Sequence, residues 1–175
     1  TIKKLPNFGF VSIFANLQPV LKSYLLKQNY IASIGLLLLR IAVGVMMIHH
    51  GQEKLADPQQ FADTYVASLH LPFPLFFAYA AGLSELIGSW LLIFGVFAPL
   101  GALAITGTMA VAAYQHILTG GFNIYVLELV ALYLGSSIAL LLTGPGLFSF
   151  DALLIRLLPA KASQAISNDF DLSED

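Results

Sequence analysis

Long apolar stretches alternate with short polar breaks along most of this chain. A helix needs about 20 residues to cross the core of a bilayer, and the sequence contains four apolar stretches of that length. The predicted spans cover residues 31–50, 74–97, 99–118 and 124–143. The links between the last three spans are very short, so these helices should run antiparallel to their neighbours. The pattern therefore predicts an all-α protein built as an antiparallel bundle of four transmembrane helices.

The longer loop after the first span carries its own helix-start signal. Asp57 can cap a helix, Pro58 suits the first helical position, and Gln60 completes a capping-box pattern. This pattern predicts a short helix of about ten residues, lying over the outer end of the bundle.

Apolar residues and lysines are interleaved ahead of the first span. They are Phe8, Phe10, Ile13, Phe14, Leu17, Leu21 and Leu25, with Lys22 and Lys27. Two interpretations stay open: an interfacial segment in the cytoplasmic headgroup layer, or a flanking helix packed on a partner protein. We divide the chain into an N-terminal cytoplasmic or interfacial extension (1–30), a membrane domain (31–155) and an acidic cytoplasmic tail (156–175).

Composition supports lipid as the solvent of the central region. Charged residues make up 10% of the chain, against about 25% in a typical soluble domain. Residues 64–150 contain only two formal charges, Glu85 and Glu128. The chain has no cysteine, which excludes disulfides and thiolate metal sites. Its few dispersed lysines give no footprint for nucleic acid.

The lysines and arginines that flank the spans predict the orientation. Six lie on the side of the chain termini and one, Lys54, on the other side. The six are Lys3, Lys4, Lys22, Lys27, Arg156 and Lys161. The positive-inside rule then places both termini in the cytoplasm. A bacterial inner membrane and an internal, thylakoid-type membrane fit this pattern equally well.

Charges inside the spans are costly and need a partner or a function. Counted from the predicted span ends at 1.5 Å per residue, Arg40 lies about 14 Å deep and Glu85 about 16 Å deep. Both depths are near the midplane, on helices adjacent in sequence. We therefore expect a structural ion pair between Arg40 and Glu85.

A second polar cluster is predicted near the outer end of the bundle. His50 ends the first span on the same side as Arg40, at 100° per residue. His116 nearly ends the third span and Glu128 begins the fourth, so a contact between His116 and Glu128 is expected. Small residues should let the helices approach closely around these groups. They are Ala81, Gly82, Gly88 and Ser89 around Glu85, and Ala131, Gly135 and Ala139 along the Glu128 face.

This polar interior is compatible with several chemistries. A quinone-type pocket needs an apolar cleft, a hydrogen-bonding histidine and a proton-exchanging carboxylate, roles that His116 and Glu128 could fill. Haem or another macrocycle held by His50 and His116 is the less favoured alternative, because their spacing is not diagnostic. No strong metal-ligand motif is present, and a transport path is poorly supported.

Several motifs in fixed order along residues 36–154 resemble the DoxX family. They are Leu38-Leu39-Arg40-Ile41-Ala42-Val43-Gly44, His50-Gly51-Gln52-Glu53-Lys54-Leu55, Ser84-Glu85-Leu86-Ile87-Gly88, and the exit Leu142-Thr143-Gly144-Pro145-Gly146-Leu147-Phe148-Ser149-Phe150-Asp151. The polar positions carried over by this resemblance are Arg40, His50, Lys54, Glu85, His116 and Glu128.

The resemblance implies a small four-helix integral membrane protein that is often associated with oxidoreductases. Similar proteins include the membrane subunit of a thiosulfate:quinone oxidoreductase and partners of superoxide dismutase and sulfurtransferase, whereas others are assembly or cargo factors. Two functions therefore remain open. One is a membrane redox subunit, and the other is a non-catalytic accessory subunit of a larger membrane complex. Other membrane subunits and lipids are the expected partners, and the sequence leaves open whether the chain is itself an enzyme.

Overall fold

The computed structural model describes residues 22–26 and 29–157, and this part of the chain is helical without strands. Its α-helices are α1 (Tyr30–Ala56), α2 (Pro58–Phe61), α3 (Pro74–Phe94), α4 (Ala98–Gly120), α5 (Ile124–Thr143) and α6 (Phe150–Leu157). A π-helical turn, Ala62–Val66, and a 3₁₀ turn, Ala67–Leu69, follow α2. Residues 22–26 are also helical.

Within the described residues, three helices are long and apolar enough to cross a membrane: α1, α3 and α5. Helix α4 has 23 residues, so it has sufficient length. It is not among the three because Gly, Thr, Gln and His residues interrupt its apolar stretch. The predicted fourth span, residues 124–143, has the bounds of α5. The first predicted span was too short, because α1 continues beyond His50 to Ala56.

Close approaches at glycines set how the long helices pack. Helix α1 packs on α3, α3 on α4 and α4 on α5, while the contact between α1 and α5 is less extensive. A Cβ atom on Gly51 would lie 3.0 Å from the Gly82 carbonyl oxygen, and one on Gly101 would lie 2.7 Å from the Gly88 carbonyl oxygen. Such contacts leave no room for a side chain and let the backbones of neighbouring helices approach closely.

The core of the bundle is apolar with one polar link. Its buried residues are Val43, Met47, Leu92, Ala98, Ala102, Ile105, Met109, Tyr133 and Leu140. The Thr106 hydroxyl donates a hydrogen bond of 2.9 Å to the Ser137 hydroxyl, which joins α4 to α5. The Ser137 hydroxyl in turn donates to the Leu134 carbonyl oxygen, so both hydroxyls are satisfied within the bundle.

Residues 58–69 form a roof over one end of the bundle, which we call the roof end. The predicted start signal is confirmed: Asp57 accepts a 2.9 Å hydrogen bond from the Gln60 amide, and Pro58 occupies the first turn. Ala62 and Val66 are buried against Ala78 at the start of α3. This apolar contact fixes the roof on the bundle.

The opposite end, the terminal end, is closed by the segment that follows α5. The Leu147 amide donates to the Ser33 hydroxyl at 3.1 Å, and the Tyr24 hydroxyl donates to the Leu141 carbonyl oxygen at 2.5 Å. Residues 22–26 therefore lie against the bundle. Residues 1–21, 27–28 and 158–175 are outside the described part of the chain, so the predictions for the extension and the acidic tail stay predictions.

Candidate functional site

A buried ion pair joins α1 to α3 in the roof half of the bundle. The Lys54 ammonium contacts Glu85 Oε1. Glu85 is fully buried and the Lys54 side chain is 17% exposed. The close approach of Gly51 to Gly82 places these two side chains within reach of each other. Glu85 Oε2 is itself buried and forms no hydrogen bond of standard geometry with a described residue, although the Thr108 hydroxyl also acts on this carboxylate.

The predicted ion pair between Arg40 and Glu85 is wrong. Glu85 pairs with Lys54 instead, and Arg40 donates to a backbone carbonyl near α6. The depth count assumed that the first span ends at His50, whereas α1 runs on to Ala56. Glu85 packs at the level of Gly51, and Arg40 precedes Gly51 by eleven residues. Eleven residues correspond to about 16 Å along the helix axis, which is too far for an ion pair.

Arg40 belongs to the terminal end of the bundle. Its Nη2 atom donates a 2.6 Å hydrogen bond to the Phe148 carbonyl oxygen, and the Asp151 carboxylate acts on the guanidinium electrostatically. Asp151 also accepts hydrogen bonds from the Phe97 and Ala98 amides, at 2.8 and 2.9 Å. These two amides begin α4, so Asp151 supplies the cap that Phe97 cannot provide.

Tyr24 lies in the same region, outside the spans. Burial raises the pKa of its hydroxyl above the usual value, and the negative charge of Asp151 raises this pKa further. Both effects disfavour the tyrosinate anion, so Tyr24 remains a hydrogen-bond donor to Leu141.

A cavity of about 990 Å³ occupies the roof half of the bundle. Side chains from α1, α3, α4, α5 and the roof line it. Its polar wall residues are His50, Glu53, Lys54, Asp57, Gln60, Thr64, Tyr65, Ser84, Thr108, Gln115, His116, Tyr125 and Tyr133. The volume is at the upper end of the range for small-molecule sites, and a mainly apolar wall with a few convergent polar groups is typical of them.

His50 lies on the wall of this cavity between two groups. Its ring meets the Tyr133 ring edge-on, with 5.7 Å between centroids, and its Nδ1 atom is 3.7 Å from Glu53 Oε2. His50 also acts electrostatically on Glu85. The neighbouring His49 lies 3.1 Å from the other Glu53 oxygen and is largely exposed. His50 therefore lines the cavity, whereas His49 does not.

The structure separates His116 from Glu128. His116 lines the cavity and is half-buried, but Glu128 does not line it and is exposed. Their side chains do not form an ion pair, so the predicted contact is wrong. On α5, Val126, Leu129 and Val130 face the cavity. Tyr125 and Tyr133 also line it. Glu128 lies 60° around the helix from Tyr125 and 100° or more from the other four, which leaves its side chain outside the lining; the depth estimate could not reveal this rotation.

Only some of the small residues that were predicted to surround the polar groups are buried. Gly82, Gly88 and Ser89 are buried around Glu85 as expected. Ala131 and Gly135 are exposed instead, and a Cβ atom on Gly135 would meet nothing within 4 Å. The predicted inward stripe on α5 is therefore wrong, because this face of α5 points away from α4.

Sequence reasoning named Lys54 as a polar position but did not pair it with Glu85, and it did not assign Gln115 or Tyr133 to the site. Lys54 carried a usable signal, because fourteen residues after Arg40 it returns to the same side of a helix. Gln115 is buried and donates to the Ser68 hydroxyl at 3.3 Å, which ties the roof to α4. Tyr133 resembled an ordinary core residue and had no such signal. No three His, Asp or Glu side chains among the described residues meet where they could hold a metal ion.

Comparisons with known proteins identify the family. The family profile of DoxX matches residues 35–118. An uncharacterized protein of Haemophilus influenzae (strain ATCC 51907 / DSM 11121 / KW20 / Rd) is 32% identical over 143 residues, which is 77% of this chain and 93% of that protein. No solved structure matches the chain. The chain belongs to the DoxX family and is a multi-pass membrane protein.

Proposed function

We propose that this protein is the membrane subunit of a redox system and binds a quinone-type headgroup in the roof-half cavity. The observation that carries the proposal is the Lys54 ammonium on the wall of that cavity, held there by the fully buried Glu85, which does not itself line the cavity. Polar residues buried inside a membrane bundle are a mark of function.

The two states of a quinone match the groups at this site. A quinone carbonyl accepts hydrogen bonds, and Lys54, His50 and Gln115 are donors on the wall. A quinol hydroxyl donates, and the neutral ring of His50 on the wall can accept its hydrogen bond and then its proton. The electrons have to be exchanged with a separate redox partner, so the proposal gives this chain the role of a subunit. His116 remains a candidate for hydrogen bonding at the second end of the headgroup.

The proposed topology has four spans with both termini in the cytoplasm. Helices α3 and α5 are each apolar enough to cross the membrane, and only residues 95–97 and 121–123 connect them to α4. Helix α4 contains no Asp, Glu, Lys or Arg, and it must return the chain to the opposite side if both neighbours cross. The excess of Lys and Arg at the terminal end supports the cytoplasmic side for that end. The roof and the polar mouth of the cavity then face the periplasm or lumen.

Binding of a defined quinone tests this function. The purified chain in lipid nanodiscs would be titrated with decylubiquinone, and binding followed by calorimetry. Lys54→Met should weaken binding about tenfold, the loss expected for one charge-assisted hydrogen bond. Glu85→Gln should weaken binding less, because Glu85 acts on the ligand only by holding Lys54 in place. Glu128→Gln is the matched control, because it changes an exposed carboxylate that does not line the cavity. Equal binding by all four proteins, or no binding by the unmodified chain, would refute the proposal.

A specific observation also favours the accessory-subunit alternative. Glu128 is exposed on α5 and has no hydrogen bond or ion pair with any described residue. It lies one turn into the helix, next to the exposed small residues Ala131 and Gly135. Small residues permit close helix approach in membranes, so a partner helix with a cationic residue would fit there. Under this alternative Glu128→Gln should release co-purifying membrane subunits, while Glu85→Gln should retain them.

A further inference from the structure

The cavity has two ends of different chemistry. One is a polar mouth near the end of α1, formed by Glu53, Asp57 and Gln60, and Glu53 has a 60% exposed side chain. The other end extends between α3 and α4 along small and apolar residues. We call it the α3–α4 groove, and its residues are Ala80, Ala81, Leu103, Ala104, Gly107 and Val111.

The α3–α4 groove opens towards the lipid side of the bundle. Leu103 and Val111 are 53% and 51% exposed although they line the cavity. A Cβ atom on Gly107 would meet nothing within 4 Å, so the groove is unfilled at its middle. The two helices touch most closely at Gly88 and Gly101, and the groove lies on the roof side of that crossing. In a membrane-spanning bundle such an exposed apolar face contacts acyl chains.

The roof closes the cavity from the other direction. Phe61, Tyr65, Val66 and Leu69 of the roof all line it. The Lys54 ammonium lies 5.4 Å from the centre of the Phe61 ring, which is within cation–π range. The hydrogen bond between Gln115 and Ser68 fastens the roof to α4. A ligand with a long chain therefore has an open path sideways and a covered path upwards.

We propose that the ligand is a bilayer-dissolved amphiphile that enters sideways through the α3–α4 groove and leaves its hydrocarbon tail there. Its headgroup lies beside Lys54 and His50, and the polar mouth gives that headgroup contact with water. This inference rests on the proposed ligand-binding function and adds the entry route and the requirement for a tail. An amphiphile fits both ends of the cavity at once, because the charged wall residues lie at the mouth, whereas among the described residues the only polar side chains beside the groove are the hydroxyls of Ser84 and Thr108.

Photolabelling tests the position of the tail. The unmodified chain in nanodiscs is irradiated with a decylubiquinone analogue that carries a diazirine at the end of its tail, and labelled peptides are mapped by mass spectrometry. Labels within residues 103–111 that excess decylubiquinone displaces are expected. Displaceable labels within the roof, residues 58–69, or at Tyr125 would overturn the proposal, because the tail would then lie towards the roof end.

Filling the groove provides the second test. Gly107→Leu adds a side chain into open space and should not disturb folding, since Leu also favours helix more than Gly does. It should weaken decylubiquinone binding about tenfold, as expected for an overpacked site. The matched control is Gly35→Leu, which has equally open surroundings on α1 and does not line the cavity. A benzoquinone with the headgroup of decylubiquinone but no tail should bind equally well to the unmodified chain, Gly107→Leu and Gly35→Leu.

These outcomes distinguish failure of the entry route from failure of the proposed function. If Gly107→Leu binds decylubiquinone as well as Gly35→Leu does, the tail is not in the groove, although the headgroup site can still stand. If the unmodified chain binds neither the tailed nor the tail-less quinone, both proposals fail. If Gly107→Leu weakens both probes equally, the groove holds the headgroup instead, and the inference is overturned.

Discussion

Arg40 of α1 donates a hydrogen bond of 2.6 Å to the carbonyl oxygen of Phe148, 108 residues later in the chain. The Arg40 side chain is fully buried, and its Nε and Nη1 atoms have no partner among the described residues. This contact joins the first long helix to the segment that leaves the last one. Arg40 is therefore a structural residue at the terminal end, distant from the cavity and from Glu85.

Replacing Arg40 should destabilise the fold without changing the ligand site. Arg40→Met removes a charge-assisted hydrogen bond to Phe148, which contributes about 2 kcal/mol. We expect a lower Tm in mild detergent, measured by circular dichroism, with quinone affinity unchanged in the folded fraction. Lys27→Met is a control for loss of a positive charge ahead of α1. A Tm equal to that of the unmodified chain would show that the Phe148 contact contributes nothing.

Gly95 should tolerate no side chain. Its φ angle is +67°, and an added Cβ atom would overlap Arg40 Nη1 and lie 2.5 Å from Ser149 Cβ. Gly95→Ala should therefore cost about 2 kcal/mol, combining a left-handed backbone penalty with overpacking. Gly35→Ala, in open helical surroundings, should instead stabilise the protein slightly. Thermal unfolding of the two variants in the same detergent checks the contrast, and similar shifts in both would contradict it.

Asp151 should be required for the start of α4. Asp151→Ala removes the two hydrogen bonds to the Phe97 and Ala98 amides, and loss of a helix cap costs about 1 kcal/mol. Hydrogen exchange should speed up at those amides and at the first turn of α4. Asp57→Ala removes the corresponding cap of the roof, so hydrogen exchange in this variant should change only within residues 58–61. Unchanged exchange at residue 98 in Asp151→Ala would refute the capping role.

The same carboxylate should be visible in the titration of Tyr24. Burial raises the Tyr24 pKa first, and the negative charge of Asp151 raises it further. Asp151→Asn should therefore lower the pKa, while burial keeps it above the usual value. Alkaline absorbance titration, with Tyr24→Phe subtracted to isolate this tyrosine, measures the change. A pKa that stays constant or rises in Asp151→Asn would contradict the electrostatic contact.

The pair of Lys54 and Glu85 should show strong coupling in a double-mutant cycle. Lys54→Met or Glu85→Leu alone leaves a charge without its partner in the bundle, and loss of one partner of a buried pair is strongly destabilising. The double variant should be more stable than the sum of the single effects predicts, by about 1–3 kcal/mol. Reversible unfolding in mixed detergent measures the four free energies. Additive effects would show that the two side chains do not interact.

Local signals in the sequence predicted much of the helical structure. The bounds of α5 follow from Asn123, whose side chain caps the Tyr125 amide at 3.1 Å, and from Gly144, which ends the helix at positive φ. The start of the roof followed from Asp57 and Pro58 in the same way. These features depend on residues adjacent in the chain. The full length of α1 was not predicted, because hydropathy falls after His50 while the helical backbone continues.

The sequence by itself determined that lipid surrounds the central region, that the fold is all-α and which family the chain belongs to. These properties depend on composition and on the order of the motifs along the chain. The tertiary structure decided which polar residues meet. Arg40 and Glu85 have similar estimated depths. However, the contact between Gly51 and Gly82 sets the register of α1 against α3, and this register places Glu85 beside Lys54. Glu128 and His116 also have similar depths, but the rotation of α5 about its axis separates them. Depth is a one-dimensional quantity that can be counted along a chain, whereas register and rotation depend on how small residues of different helices fit together.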